Sequence, residues 1–436
     1  MTVDSLYEVF VKHPQVSTDT RTVKKDSIFF ALRGEKFDGN KFAKEAVEKG
    51  AAYSVIDDVA FKADERFILV ENTLTALQQL AAHHRKEFDI PVIAITGSNG
   101  KTTTKELTHA VLSKKFSTYA TKGNLNNHIG VPLSLLEMNE KTEIAVIEMG
   151  ANHVGEIATL CKIANPDFGL ITNVGKAHLE GFGGFEGVKK GKGELYNFIA
   201  AKNETIFINA DNYDLLSMAK AAGIKNTTSY GTKPEYDYWG KVTEEFPALK
   251  ISWKAKMNSK ENNIQTNLSG SYNFENIIAA VCIGNYFGVE AGKINEAVEE
   301  YLPSNNRSQV VTKDSNTIIL DCYNANPTSM TAALVNFSGM KAKKKVAILG
   351  DMLELGNESE ALHRIVIEQV DGLSLDEIIL IGKEFGSALK KEKIECKNFP
   401  TTEEAKEYLS AHKFQDAVIL VKGSRGSQLE KLFEVL

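Results

Sequence analysis

Short apolar runs along the chain alternate with stretches in which apolar residues recur at helical spacing, the pattern of an α/β protein. Residues 1 to about 85 hold two short runs, Ser27-Ile28-Phe29-Phe30-Ala31-Leu32 and Phe67-Ile68-Leu69-Val70, and 73–86 predicts a helix leading out of this unit. A stronger run, Pro91-Val92-Ile93-Ala94-Ile95, ends in a Gly-rich turn, and 143–147, 168–171 and 205–208 predict further strands. Between about 226 and 268, Thr, Tyr and Trp alternate with polar residues, which predicts antiparallel hairpins in place of βαβ units. Helices are predicted over 274–287 and 291–301, and Leu302-Pro303-Ser304-Asn305-Asn306 marks a second boundary. Beyond it, apolar runs at 317–322, 346–349, 378–381 and 417–421 alternate with helical patterns, as in a doubly wound unit.

Length adds a domain estimate: 436 residues, at roughly 100–200 per domain, predict two to four domains. The formal net charge of -6 argues against a nucleic-acid partner, because phosphate neutralisation needs a basic surface. Cys161, Cys282, Cys322 and Cys396 are scattered and suggest neither a disulfide framework nor a zinc site. The opening MTVDSLYEVF lacks the basic and apolar regions of a signal peptide. No apolar run approaches the ~20 residues of a membrane-spanning helix. A reduced cytoplasmic enzyme, with no membrane partner, is the expectation.

The strongest candidate chemistry lies in Thr96-Gly97-Ser98-Asn99-Gly100-Lys101-Thr102-Thr103-Thr104, between a strand and an amphipathic helix. Glycines let backbone N–H groups approach a phosphate. The helix N-terminus favours its charge, Lys101 neutralises it, and the Thr102 hydroxyl can ligate Mg²⁺. The common pattern G-x-x-x-x-G-K-[ST] wants glycine where this chain has Ile95, so the loop is a variant with Gly97 as its first glycine. Glu148 follows the run Ile144-Ala145-Val146-Ile147, at the sheet edge where ligands bind. A carboxylate there is placed to hold Mg²⁺, although a solvated strand-end glutamate fits the same position. His178, in Asn173-Val174-Gly175-Lys176-Ala177-His178, should emerge on that edge; taken alone, a loop histidine reads more readily as structural. By composition, Lys189-Lys190-Gly191-Lys192-Gly193-Glu194 reads as a solvated basic turn.

The form T-G-x-x-G-K-T-T resembles the ATP loop of the Mur ligases and their folylpolyglutamate synthase relatives. The loop, Glu148, His178 and Lys192 occur in the order this family uses. Lys192-Gly193-Glu194 resembles the family segment whose lysine carries a carbamate, an anionic oxygen ligand for a second Mg²⁺. Gly270-Ser271-Tyr272-Asn273-Phe274-Glu275-Asn276 is similar to the family's G-x-H-N-x-x-N, with Tyr272 in place of histidine. The resemblance gives Asn273 and Asn276 a nucleotide-binding role; Asn273 also suits a helix N-cap. Arg307 resembles the arginine that reaches the ATP phosphates, and Asp321 the aspartate that binds the ATP ribose.

Asp321-Cys322-Tyr323-Asn324-Ala325-Asn326-Pro327-Thr328-Ser329-Met330 is similar to the D-Y-N-A-N-P-x-S-M stretch of the members that add D-alanyl-D-alanine. Leu349-Gly350-Asp351-Met352-Leu353-Glu354-Leu355-Gly356 and Lys422-Gly423-Ser424-Arg425 match the same members. So do Ser17-Thr18-Asp19-Thr20-Arg21 and Phe37-Asp38-Gly39, while the D-N-P-R signature of the diaminopimelate-adding enzyme is absent.

The resemblance covers nearly the whole chain and implies three domains. These are an N-terminal UDP-muramoyl-substrate domain (1–85), a central P-loop-type domain with a mostly parallel sheet (86–303), and a C-terminal Rossmann-like acceptor domain (304–436). It implies a monomeric ligase that uses ATP and two Mg²⁺ sites to join UDP-N-acetylmuramoyl-tripeptide to D-alanyl-D-alanine. Gly97, Ser98, Asn99, Gly100, Lys101, Thr102, Thr103, Asn273, Asn276, Arg307 and Asp321 would bind ATP. Thr102, Glu148, His178 and Lys192 would serve the metals, with Lys101, His178 and Lys192 catalytic. Ser17, Thr18, Arg21 and Asp38 would hold the UDP substrate, and Asn324 and Asn326 the acceptor. Two alternatives stand beside this reading: another amide ligase of the superfamily, tripeptide-forming or folylpolyglutamate-type, and a P-loop regulatory ATPase without ligation.

Overall fold

A computed structural model describes residues 2–246, 248–256, 258–303 and 307–436. Most strands fall where the apolar runs predict them, in three main sheets. The first is parallel, in the order Val16–Ser17, Ile28–Phe30, Tyr53–Ile56, Phe67–Leu69. The second has nine strands. Within it Val92–Thr96, third from one edge, is flanked in parallel by Ile144–Glu148 on one side and Phe168–Ile171 on the other. The third places Asn316–Asp321, Ala417–Lys422, Lys344–Gly350, Glu377–Ile381 and Lys397–Phe399 side by side in parallel, with Gln309–Lys313 antiparallel at one edge. The helices Pro327–Gly339, Ser359–Asp371, Lys383–Leu389 and Thr402–Ala411 alternate with these strands, as in a doubly wound sheet.

The stretch 226–268 differs from the prediction. Lys250–Ala255 does pair antiparallel with both neighbours. Asn226–Gly231, however, pairs parallel with Thr205–Asn209, and Tyr238–Glu244 pairs parallel with Asn226–Gly231 through two residues only. A helix not foreseen, Tyr213–Ala221, makes the crossover that parallel pairing requires. Of the second boundary, Ser304, Asn305 and Asn306 lie outside the described residues.

The helix Thr73–Lys86 ties the first unit to the second. Asn72 caps it by accepting from the Thr75 N–H at 2.8 Å. Its buried face, Ala76, Leu77, Leu80, Ala81 and His84, packs against the helix Val3–Lys12 on one side and Gly130–Leu136 on the other. Burying each leucine contributes about 2 kcal/mol. His84 is held by both bodies: Nδ1 accepts from the Tyr7 hydroxyl at 3.2 Å and Nε2 donates to the Met138 carbonyl at 3.0 Å. Burial lowers its pKa, which favours the neutral ring that this pairing requires. Arg85 adds a bond to Asp167 at 2.9 Å. Among the described residues no helix is long and apolar enough to cross a membrane.

Candidate active site

The strand Val92–Thr96 is buried along its whole length and delivers the Gly-rich loop to the crevice between its two neighbours. Gly97 has φ 145°, and a Cβ there would lie 1.9 Å from the Thr172 Oγ1, so no side chain fits. The helix Lys101–Leu112 then starts at Gly100 (φ 78°) with no side-chain cap. Its first N–H groups therefore remain open to an anion. The loop following Phe168–Ile171 braces this turn from behind. Ser98 N–H donates to the Asn173 carbonyl at 3.0 Å, Asn99 N–H to the Asn173 Oδ1 at 3.0 Å, and the Thr172 hydroxyl to the Asn99 carbonyl at 2.6 Å.

Glu148 ends its strand opposite Ile95 and is 1% exposed. It is no solvated strand-end residue: Oε2 accepts from the Thr102 hydroxyl at 2.8 Å and Oε1 from the Asn126 amide at 2.7 Å. A hydroxyl and a carboxylate side by side form the sparse oxygen set that suits Mg²⁺, which keeps waters and takes the remaining oxygens from phosphate. Among the described residues no group of three or more His, Cys, Asp and Glu could hold a metal ion. Lys101 Nζ donates to the carbonyls of Gly97 at 2.7 Å and Ser98 at 3.1 Å. Burial lowers its pKa to about 8; Glu148 opposes the shift and Arg307 adds to it.

The basic turn expected at 189–194 is instead the middle of a helix, Phe185–Lys202. Lys192 lies on its inner face, 1% exposed, donating to the Ala151 carbonyl at 3.2 Å with the Phe182 ring 5.3 Å away. Burial, then the charge of Lys101, drives its pKa well down, which favours the free amine. Glu194, two residues along, caps the neighbouring helix Glu156–Ala164 by accepting from the N–H of Ala158 at 2.8 Å and from that of Gly155. His178 lies at the cavity with φ 53°, and its Nδ1 bonds to Glu354 of the third unit.

A cavity of about 840 Å³ joins the phosphate loop to the third sheet. Asn273, Asn276, Arg307, Asp321 and Asn324 line it. Asn276 packs against Gly100 and accepts from the Thr104 hydroxyl at 3.0 Å, while its amide donates to Asn273 at 2.9 Å. Asn273 does not cap its helix: its amide donates to the Ser269 carbonyl at 2.7 Å. Arg307 stacks on Tyr323 at 3.6 Å and leaves a buried Nε without a partner. An unmet buried donor of this kind calls for an acceptor. Asp321 pairs with the buried Lys422 at 2.6 Å and accepts from the Ser308 N–H at 3.2 Å. Tyr272, which replaces the histidine of the resembled motif, bonds through its hydroxyl to Ser308 at 2.8 Å.

Asn326 is committed to the protein. It caps the helix Pro327–Gly339 by accepting from the Ser329 N–H at 2.9 Å, and its amide donates to the Asn99 Oδ1 on the phosphate loop at 2.7 Å. Asn326→Ala is therefore expected to cost about 1–2 kcal/mol of stability, read as a lower urea midpoint; an unchanged midpoint would contradict this geometry. Asn324 is exposed at the cavity.

Ser17, Thr18, Arg21 and Asp38 are not among the residues lining this cavity. Ser17 and Arg21 both bond to Asp19, and Asp38 caps the short helix Gly39–Phe42. Asn126, Tyr323 and Glu354 were not singled out from the sequence. Each works through a contact outside its own segment, with Glu148, Arg307 and His178 respectively, although Tyr323 and Glu354 lay inside matched segments.

Known protein families bear on this arrangement. Residues 14–85 match the family model described as Mur ligase family, catalytic domain; 95–284 match Mur ligase middle domain; and 306–425 match Mur ligase, glutamate ligase domain. The UDP-N-acetylmuramoyl-tripeptide–D-alanyl-D-alanine ligase of Bacillus subtilis is 36% identical over 99% of this chain and 94% of its own length. A crystal structure of MurF from Acinetobacter baumannii superposes with a TM-score of 0.89 at 31% identity, covering 99% of this chain and 98% of that one. The MurF ligase of Thermotoga maritima in complex with ADP gives 0.86 at 28% identity, over 98% and 97%.

Proposed function

This chain belongs to the Mur ligase family, and from that premise we propose that it joins D-alanyl-D-alanine to UDP-N-acetylmuramoyl-tripeptide at the cost of ATP. The enzyme is an ATP-dependent ligase forming a C–N bond. The observation that carries the substrate reading is one cavity with the phosphate loop on one side and the acceptor segment Tyr323-Asn324 on the other.

In this reading the tripeptide's terminal carboxylate attacks the γ-phosphate of ATP, giving an acyl phosphate and ADP. The amine of D-alanyl-D-alanine attacks the acyl carbon, and the tetrahedral intermediate collapses to the amide with release of phosphate. A carboxylate is a poor acyl donor until phosphate becomes its leaving group. Two anions must meet, and Lys101, the open helix N-terminus and Arg307 supply the opposing charge. Asn273, Asn276 and Asp321 serve the nucleotide, with Ser98, Asn99 and Thr103 around its phosphates. Thr102 and Glu148 would hold Mg²⁺, which neutralises phosphate charge when bound; His178 and a carbamate on Lys192 would serve a second ion. Asn324 faces the acceptor. Ser17, Thr18, Arg21 and Asp38, in the first unit and outside the cavity lining, take the UDP end of the long substrate. The three units work as 1–85, 86–303 and 304–436, in a monomer in the cytoplasm.

The test is a phosphate-release assay with D-alanyl-D-alanine, diaminopimelate, lysine and glutamate as competing acceptors. Release should require the UDP-tripeptide and favour the dipeptide by roughly a hundredfold. Equal release with a single amino acid, or release without any acceptor, would overturn the reading.

A further inference from the structure

The third unit meets the histidine loop through Glu354, whose Oε2 bonds to His178 Nδ1. Both residues carry left-handed backbone, φ 53° at His178 and 62° at Glu354, a conformation that side chains other than glycine rarely adopt. Such backbone persists where the surroundings over-determine it, and they do so here. Asp351 accepts from the N–H groups of Glu384 at 3.1 Å and Phe385 at 3.0 Å. Met352 N–H donates to the His363 Nε2 at 3.0 Å, and Leu353 N–H to the Ser424 hydroxyl at 3.0 Å. The segment leading into Glu354 is thus pinned at three consecutive residues. On its far side, a Cβ at Gly356 would lie 3.3 Å from the Glu180 Cβ, so the loop packs closely on the helix that follows His178.

We propose that Glu354 is a positioning residue for His178, fixing the imidazole from the third unit so that Nε2 is the ring nitrogen offered to the cavity. A carboxylate only accepts, so Nδ1 is the nitrogen that donates to Glu354, and Nε2 is the one left for the cavity. Because Glu354 and His178 belong to different units, the ring is set only while the third unit lies against the phosphate loop. Docking of the acceptor-bearing unit and readiness of the histidine become one event.

The inference rests on the ligase reading for its kinetic arm alone. In the full-length chain, Glu354→Ala should lower kcat for D-alanyl-D-alanine ligation roughly 10–100-fold with the KM for ATP within about twofold. His178→Ala should lose at least as much, and the double variant should be no worse than His178→Ala within about twofold. Multiplying losses in the double variant, or a Glu354→Ala enzyme with wild-type kcat, would overturn the proposal. Hydrogen exchange at residues 177–184 of the ligand-free chain supplies an arm that needs no turnover. It should quicken in Glu354→Ala, and unchanged exchange would overturn the contact. Wild-type protein that ligates nothing to D-alanyl-D-alanine would instead overturn the ligase reading, with the exchange arm still deciding on Glu354.

Discussion

Lys101→Ala is expected to abolish ligation while the fold survives. Removing one preorganised donor to a developing oxyanion typically costs roughly 10²–10³ in kcat. Lys101 should sit at the upper end, because its charge meets a triphosphate at a helix terminus that no side chain caps. Its present partners, the carbonyls of Gly97 and Ser98, belong to the same loop. Loss of the amine thus leaves the strand and helix on either side untouched, and the melting temperature should barely move. Steady-state phosphate release and thermal melting, measured together, decide the matter. A variant retaining more than about a tenth of wild-type kcat, a barrier change under ~1.4 kcal/mol, would contradict the assignment.

Lys192→Ala should be nearly inactive, and a small carboxylate should partly restore it. An ammonium buried with one carbonyl partner is costly, and the pKa is driven down accordingly. The free amine so favoured is the form that adds CO₂. A carbamate formed there would be an anion, attracted to Lys101, and would supply oxygen ligands of the kind Mg²⁺ takes. Alanine at 192 leaves a space beside Ala151 and Phe182, which acetate can fill with an anion. Activity titrated against acetate at constant ionic strength reads the effect. Full activity of the variant without acetate would end the proposal, and so would intact-mass and crystallographic evidence of an unmodified lysine in active enzyme.

The contrast between these two lysines says what the sequence discloses. Lys101 was legible because its signal is contiguous: a buried strand, two glycines and a helix start lie within ten residues. The doubly wound third unit was legible for the same reason, as its strands are unbroken apolar runs. Lys192 was hidden by composition. Its helix buries Val188, Gly191, Lys192, Leu195 and Ile199 at helical spacing, but two of those five positions read as polar or breaking in a local window. Gly191 is there because the Phe182 ring lies where its Cβ would be, 2.4 Å from Cε1. Nothing nearby in the chain announces that constraint. The pairs Asn99 with Asn326 and His178 with Glu354 were beyond reach for another reason: 227 and 176 residues separate the partners. Their encounter is decided by how sheets stack. In 226–268 the alternation of Tyr, Thr and Trp was read correctly as strand, but alternation carries no direction, and direction was what the reading missed at Asn226–Gly231.

Helix Thr73–Lys86 has one more consequence. Its buried face lies in one core shared by both units, and its last turn is tethered through His84 and Arg85 to carbonyls and a carboxylate of the central body. The first sheet is therefore not a portable part. A clone ending at residue 86 would display a greasy flank with nothing to cover it, and one starting at 87 would lose the plug that seals Met138 and Ala164. Exchange of this region between genes has to carry the helix together with both surfaces it seals, so a crossover at either end of the helix parts it from one of them.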